Sequence, residues 1–412
     1  MSINKRIARL IGLIGPGLFL IGYNIGTGSI TTMAQVGAQF GMTLLWTLVL
    51  ACIFTYVLMV AYGQVTIVSG KTALYNIKNH IRYGRYLALY IMVALIIGEV
   101  MALMGIMGIT VDLLQEGARL MDGRFVVSTV SLTVILVLTL FALLYFGKYG
   151  SFEKLLTVMV LLMALSFIIV LIMIKPNIIN ILKGLIPSVP KEPGSFELIA
   201  AIVGTTCSAA VFIIRSIVVN AKKWSMENLK TEKRDAFVSA LMMLLLSGCI
   251  MAVAAGTLGV VGKDLGNTLD LVSLFEPIGG KVASFILIFG ITSAAISTIM
   301  PIILIAPWLI TDYMDRPKDI KSPIFRTLGG FGLVLGLGAQ FIDMRPPALL
   351  IFSQAFQALI LPAVALPILI LINNRSIMGV HKASGGINLG ICLVLMFGLA
   401  TALMALIEIL DI

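Results

Sequence analysis

Long apolar runs alternate with short polar segments along the whole chain. Each run is close to the roughly 20 residues that a helix needs to cross about 30 Å of bilayer hydrocarbon. The pattern therefore predicts an all-α membrane protein with eleven transmembrane helices. The runs fall near residues 9–36, 44–69, 87–111, 126–147, 155–174, 198–219, 236–262, 282–311, 327–342, 347–372 and 386–410.

Two of these runs are interrupted by clusters of glycine and hydroxyl residues. Residues 25–30 read IGTGSI, and residues 203–208 read VGTTCS. Glycine costs about 1 kcal/mol in a helix interior. A freed backbone group in hydrocarbon costs several kcal/mol more, so such breaks persist only where they face protein or a watery cavity. We therefore predict broken first and sixth helices, with the solute site at the two breaks.

The positions of the breaks divide the chain into two similar halves. Residues 9–174 form a first five-helix repeat, residues 198–372 form a second, and residues 386–410 form an extra eleventh helix of one transporter domain, residues 1–412. A unit with an odd number of helices re-enters the membrane in the opposite orientation when it is repeated, which predicts an inverted repeat. Tight helix packing is the alternative explanation for single glycines, of which the chain has 39.

Composition and charge support a membrane location and an orientation. Hydrophobic residues make up 59% of the chain, charged residues 12%, and the mean hydropathy is +1.08. With a cytoplasmic N-terminus and an extracytoplasmic C-terminus, the inner segments carry 20 basic residues and the outer segments eight. The net charge of +10 is then explained by loops that face anionic lipid of the cytoplasmic membrane. We expect no nucleic acid partner, and the sequence leaves the oligomeric state open.

Signals for catalysis or a resident cofactor are weak. The chain has no phosphate-binding loop or nucleophile elbow, and its loops are too short for a catalytic domain. His80 and His381 fall in predicted inner loops without a cysteine or carboxylate at metal-ligand spacing. We expect no enzyme and no cofactor.

Several segments resemble one family of transporters. Gly15-Pro16-Gly17, the AQVGAQFG stretch at 34–41 and Leu44-Leu45-Trp46 are similar to the first two spans of the natural resistance-associated macrophage protein (NRAMP) metal transporters. The tenth span and the following loop agree, with Ser353-Gln354, Leu361-Pro362, Pro367 and the NNRSIMG stretch at 373–379. This resemblance implies the leucine-transporter fold and a secondary transporter that moves a divalent metal by alternating access.

The sequence departs from that family at the metal site. Where the family has an Asp-Pro-Gly-Asn motif in the first break, this chain has Gly26-Thr27-Gly28-Ser29. The family's Met-Pro-His-Asn positions in the sixth span read Ser208-Ala209-Ala210-Val211, so the soft sulfur ligand is lost. A later family histidine becomes Arg215, and two acidic residues of the proton route fall on Ile106 and Ile109. Glu99 alone keeps its family counterpart, so we expect weak or absent proton coupling.

These losses predict an altered site without carboxylates. Hydroxyls, carbonyls and an amide offer only dipoles, so a fully dehydrated dication is disfavoured, whereas a hydrated or partly hydrated cation could still bind. The candidate substrate-binding residues are Asn24, Gly26, Thr27, Gly28, Ser29, Thr205, Thr206, Ser208 and Gln354. If the substrate is a cation, the candidate metal contacts are Thr27, Ser29, Thr205, Ser208 and Gln354.

A different substrate class fits the same backbone. A half-helix that begins at Gly28 would direct unpaired N–H groups and a positive dipole end at the cavity, which suits an amino acid or a small carboxylate. In that case Arg215 would add positive field on the inner path. A channel or a non-transporting membrane sensor is the third possibility.

Glu99 and Arg215 are candidate coupling or gating residues because charges at membrane depth tend to be paired and functional. They could pair with each other, or Arg215 could extend to the inner interface towards Lys222 and Lys223. We expect the charged segment 222–235 to be a solvated inner loop.

Overall fold

The computed structural model describes residues 26–121, 128–146, 158, 161, 165, 167–169, 171–261, 266–268, 270 and 276–409. Within these residues the regular elements are helices, and no strand occurs. Two short 3₁₀ segments, Met226–Asn228 and Leu337–Gln340, adjoin α-helices. The α-helices are α1 Thr27–Phe40, α2 Leu45–Ser69, α3 Ala73–His80, α4 Gly84–Met121, α5 Thr129–Phe146, α6 Ile178–Lys183, α7 Ser195–Thr206, α8 Ala209–Ala221, α9 Leu229–Val261, α10 Glu276–Tyr313, α11 Pro323–Gly336, α12 Pro346–Asn373, α13 Arg375–Met378 and α14 Gly385–Ile409.

The helices coincide with the predicted spans. In the described part of the chain, eight helical segments are long and apolar enough to cross a membrane. The first predicted span is described only from Gly26 onward, as α1, and the ninth is the shorter α11. Half of the fifth predicted span, residues 155–174, lies outside the described residues.

The sixth predicted span is broken where the sequence indicates. Helix α7 ends at Thr206 and α8 begins at Ala209, so Cys207 and Ser208 separate two half-helices. In the most apolar part of this span, 94% of the residues are buried. The broken helix therefore occupies the centre of the bundle.

The core forms where the central helices pack on one another. Helix α1 packs on α9, α7 packs on α12, and α4 packs on both α10 and α12. The outer helices instead expose apolar side chains, such as Leu138 at 61% and Phe146 at 80% exposure on α5. Such surfaces suit contact with lipid tails, so burial follows position in the bundle and not hydrophobicity alone.

The prediction of a solvated loop at residues 222–235 is wrong for the second half of that segment. Helix α9 begins at Leu229, so the segment becomes helical there. Glu232 and Asp235 are buried at 0% and 3% exposure. Their charge predicts solvation, but Arg215 lies within reach in the core and compensates them.

Candidate functional site

The break in the sixth span leaves backbone groups that need partners. Ser208 is extended (φ −62°, ψ 127°) and occupies the N-cap position of α8, without a capping hydrogen bond from its side chain. The Cys207 N–H donates to the Val203 carbonyl at 2.7 Å, and the Thr55 hydroxyl donates to the Thr206 carbonyl at 2.8 Å. A side chain from α2 therefore satisfies a carbonyl at the break, as buried backbone groups require.

The first break is followed by a helix, so the N-terminus of that helix lies at the break. Helix α1 begins at Thr27 with Gly26 as its N-cap, one residue before the predicted start at Gly28. The first N–H groups of a helix have no partner within that helix and carry the positive end of its dipole. Asn24 lies outside the described residues, as does the other side of this break.

The two breaks meet across a hydrogen bond. The hydroxyl oxygens of Ser29 and Thr205 lie 2.9 Å apart, which joins α1 to α7. Beside them is a small cavity of about 20 Å³, enough for about one water molecule. Its described lining residues come from α1, α4, α7, the junction between α7 and α8, α10 and α12. They are Gly28, Ser29, Glu99, Ala102, Ile106, Thr205, Ser208, Thr298, Ile302, Gln354 and Gln357.

Most of the candidate residues lie at this cavity. Six of them line it: Gly28, Ser29, Thr205, Ser208, Gln354 and Glu99. Gly26, Thr27 and Thr206 belong to the adjoining helix ends and are not among the lining residues. Thr27 and Thr206 are buried at 0% and 2% exposure.

Sequence reasoning missed two polar lining residues, Thr298 and Gln357. Gln357 follows Gln354 by three positions, and side chains at that spacing share a helix face. The three-residue spacing between the two glutamines could therefore have indicated that Gln357 faces the same site as Gln354. Thr298 gives no comparable signal, because its own hydroxyl donates to the Ala294 carbonyl as in many apolar helices.

A chain of hydrogen bonds crosses the cavity wall. Ser208 Oγ lies 2.5 Å from Gln357 Oε1, and Gln357 Nε2 donates to Glu99 Oε1 at 2.8 Å. Among the described lining residues, Glu99 alone has an ionisable side chain. The expectation of a carboxylate-free site is therefore wrong, because packing of α4 against α12 brings Glu99 to the cavity.

Two glycines allow α12 to approach the breaks closely. A Cβ atom at Gly28 would lie 2.9 Å from Gln354 Nε2, and one at Gly204 would collide with the Gln354 carbonyl oxygen. The absence of side chains at these positions lets Gln354 reach both helices. The space over Gly28 is occupied by the Gln354 amide.

Arg215 lies apart from the cavity in a buried ion pair. Its Nη2 is 2.8 Å from Glu232 Oε1 and 3.0 Å from Asp235 Oδ2. Arg215 is 0% exposed, so it does not extend to the interface. The alternatives of a pair with Glu99 or of interfacial extension are both wrong, because α9 supplies two nearer carboxylates.

The polar side-chain atoms at the cavity are oxygens and amide nitrogens. Hydroxyls, amide carbonyls and a carboxylate are ligands for hard cations such as Mg²⁺, Ca²⁺ and Mn²⁺. In the described part of the chain, no group of three or more His, Cys, Asp or Glu side chains could hold a metal ion. The cavity thus differs from the thiolate and imidazole sites that suit softer metals.

Comparison with solved structures defines the class of protein. The manganese transporter of Eremococcus coleocola superposes with a TM-score of 0.77 at 15% identity, covering 98% of this chain and 88% of that one. MhsT in complex with L-phenylalanine superposes with a TM-score of 0.63 at 13% identity, covering 96% and 98%. The protein is a multi-pass, all-α membrane protein with the leucine-transporter fold, as the eleven-span inverted repeat with broken helices 1 and 6 predicts.

Sequence comparison then gives the family. The natural resistance-associated macrophage protein-like family (Nramp) matches residues 17–408. The divalent metal cation transporter MntH of Staphylococcus haemolyticus is 23% identical over 420 residues, covering 94% of this chain and 91% of the relative. MntH of Staphylococcus aureus strain Newman is 24% identical over 408 residues, covering 92% and 86%. The chain belongs to the Nramp family, as its resemblance implies.

Proposed function

We propose that this protein is a secondary transporter that moves a divalent cation across the cytoplasmic membrane by alternating access. The observation that carries the proposal is the cavity between the two helix breaks, with Glu99 as the ionisable side chain among its described lining residues. Membership of the Nramp family and the relatives named divalent metal cation transporters support the same substrate class.

The cation is proposed to keep part of its hydration shell. One carboxylate and several neutral oxygens offset only part of the cost of removing water from a dication. Mg²⁺ in particular gives up its water reluctantly and is often bound through one or two carboxylates. Ser29, Thr205, Ser208 and Gln354 would then contact the ion or its water, together with Glu99.

The orientation and the energy source belong to the same proposal. The excess of basic residues in the inner segments supports a cytoplasmic N-terminus and an extracytoplasmic C-terminus. Ile106 and Ile109 are buried and apolar, so that part of α4 offers no group to carry a proton. We therefore propose that proton coupling along this route is weak or absent.

One observation favours the second substrate class, a small carboxylate or amino acid. The N-terminus of α1 lies beside the cavity, where its dipole would attract an anion. Against this, the Gln354 amide covers Gly28, and Glu99 would repel a carboxylate. The cation is therefore the better-supported substrate.

Uptake by proteoliposomes would test the substrate class. The panel contains Mg²⁺, Mn²⁺, Ca²⁺, Cd²⁺, Na⁺ and the common L-amino acids, and counterflow distinguishes a carrier from a channel. We expect saturable uptake of Mg²⁺ or Mn²⁺ that Ser208→Ala weakens. Thr139→Ala, which removes an exposed hydroxyl on α5, is the matched control and should transport normally. Saturable uptake of an amino acid without any divalent cation would instead establish the alternative.

A further inference from the structure

Gln357 connects the break in the sixth span to the carboxylate on α4. Its side-chain oxygen lies 2.5 Å from Ser208 Oγ, and its side-chain nitrogen lies 2.8 Å from Glu99 Oε1. Ser208, Glu99 and Gln357 are each 3% exposed. Residues separated by 258 positions in the sequence are thus joined in one buried chain of hydrogen bonds at the cavity wall.

Elementary hydrogen-bond chemistry fixes the direction of this chain when Glu99 is ionised. A carboxylate only accepts hydrogen bonds, so Gln357 must present its NH₂ group to Glu99. Its oxygen then faces Ser208, and that oxygen can only accept. The single hydroxyl hydrogen of Ser208 is therefore used by Gln357, and the remaining lone pairs of Ser208 are free to act as acceptors.

We propose that Gln357 is a positioning residue that makes the site selective for cations. It holds the ionised Glu99 at the cavity and turns the Ser208 hydroxyl into an acceptor, which is the form that binds a metal ion or its water. This inference rests on the proposed transport function and assigns part of its specificity to a residue that need not touch the ion.

The same arrangement disfavours an anionic substrate. A carboxylate group needs hydrogen-bond donors, and the donor hydrogen of Ser208 and one amide hydrogen of Gln357 are already used. If Gln357 were turned around, Ser208 would accept and its hydrogen would become free to meet an anion. The polarity of one amide group therefore helps to decide the sign of the charge that the cavity accepts.

Two variants distinguish a positioning role of Gln357 from a role in packing alone. Gln357→Met keeps the length of the side chain but removes both hydrogen bonds. In the double variant with Glu99→Gln and Gln357→Glu, the carboxylate at 357 accepts from Ser208 and from the new amide at 99. The swap thus retains one carboxylate, one amide and the acceptor role of Ser208.

The experiment measures Mn²⁺ uptake by proteoliposomes at neutral pH. Gln357→Met removes a hydrogen bond to a charged group. We expect this loss to raise KM about tenfold. We expect kcat to change less than twofold, and the swap to return KM to within about threefold of the parent protein. Thr139→Ala should match the parent.

The outcomes distinguish this inference from the proposed function. If the parent takes up Mn²⁺ and Gln357→Met keeps the parental KM, the positioning role is overturned and the transport function stands. Failure of the folded swap variant to recover KM would also overturn the role. If the parent neither binds nor moves a divalent cation, the proposed function and the positioning role fail together.

Discussion

Arg215 and Glu232 form an ion pair that is fully buried, with Nη2 of the arginine 2.8 Å from Oε1 of the glutamate. Asp235 adds a second carboxylate at 3.0 Å from the same nitrogen. The pair joins α8, the second half of the broken helix, to the next helix, α9. It thereby anchors the half-helix that follows the break to a long helix of the bundle.

Removal of the arginine should destabilise the protein strongly. Arg215→Met would leave two buried carboxylates without a cation, and breaking a buried pair in this way costs about 3–5 kcal/mol. Thermal unfolding of purified protein in detergent should show a large decrease in melting temperature. The control is Lys78→Met, because Lys78 pairs with the half-exposed Asp315 and such pairs contribute at most about 1 kcal/mol. Equal melting temperatures for the two variants would contradict the structural role of Arg215.

The sequence could predict the helices and the location of the breaks, since both depend on local pattern. Apolar runs set the spans, and the glycine and hydroxyl clusters mark where the helix cannot remain regular. The meeting of Ser29 with Thr205 follows from the inverted repeat, because corresponding breaks in two opposed halves come together.

The charged contacts could not be predicted, because they depend on packing between distant helices. Glu232 sits among Lys230, Lys233 and Arg234, so its local sequence indicates a solvated segment. Its burial follows from contact with α2 and with Arg215, which local charge does not reveal. Glu99 likewise finds Gln357 on α12 only after folding.

The hydroxyl pair between the breaks should contribute to both stability and substrate binding. Ser29→Ala or Thr205→Val should each cost about 1 kcal/mol, because each removes one partner of a buried hydrogen bond. The double variant should cost less than the sum of the two single variants, because the second substitution removes a bond that is already lost. Melting temperature and KM for the transported cation are the two measurements. Strict additivity in both would contradict a direct interaction between Ser29 and Thr205.

Contact between α7 and α12 should not tolerate a side chain at Gly204. A Cβ atom there would collide with the backbone oxygen of Gln354, so Gly204→Ala must push the two helices apart. Overpacking of this kind costs about 1–3 kcal/mol and would displace Gln354 from the cavity. We expect a lower melting temperature and a higher KM in uptake assays.

Gly332→Ala provides the matched control for that substitution. Gly332 lies in α11, and a Cβ atom there would meet nothing within 4 Å. Alanine is the better helix former by about 1 kcal/mol, so this variant should be neutral or slightly more stable. If Gly332→Ala impairs transport as strongly as Gly204→Ala, the effect does not come from the contact with Gln354.

A sulfur atom at the cavity should change which metals the protein prefers. Ser208→Cys places a soft ligand among hard oxygen donors, and soft ligands favour metals such as Cd²⁺. We expect the preference for Cd²⁺ over Mg²⁺ in competition uptake to rise about tenfold, which corresponds to about 1.4 kcal/mol. Thr206→Cys is the control, because Thr206 is buried two residues away but is not among the residues that line the cavity. A gain in Cd²⁺ preference that is equal in both variants would mean that Ser208 does not face the transported ion.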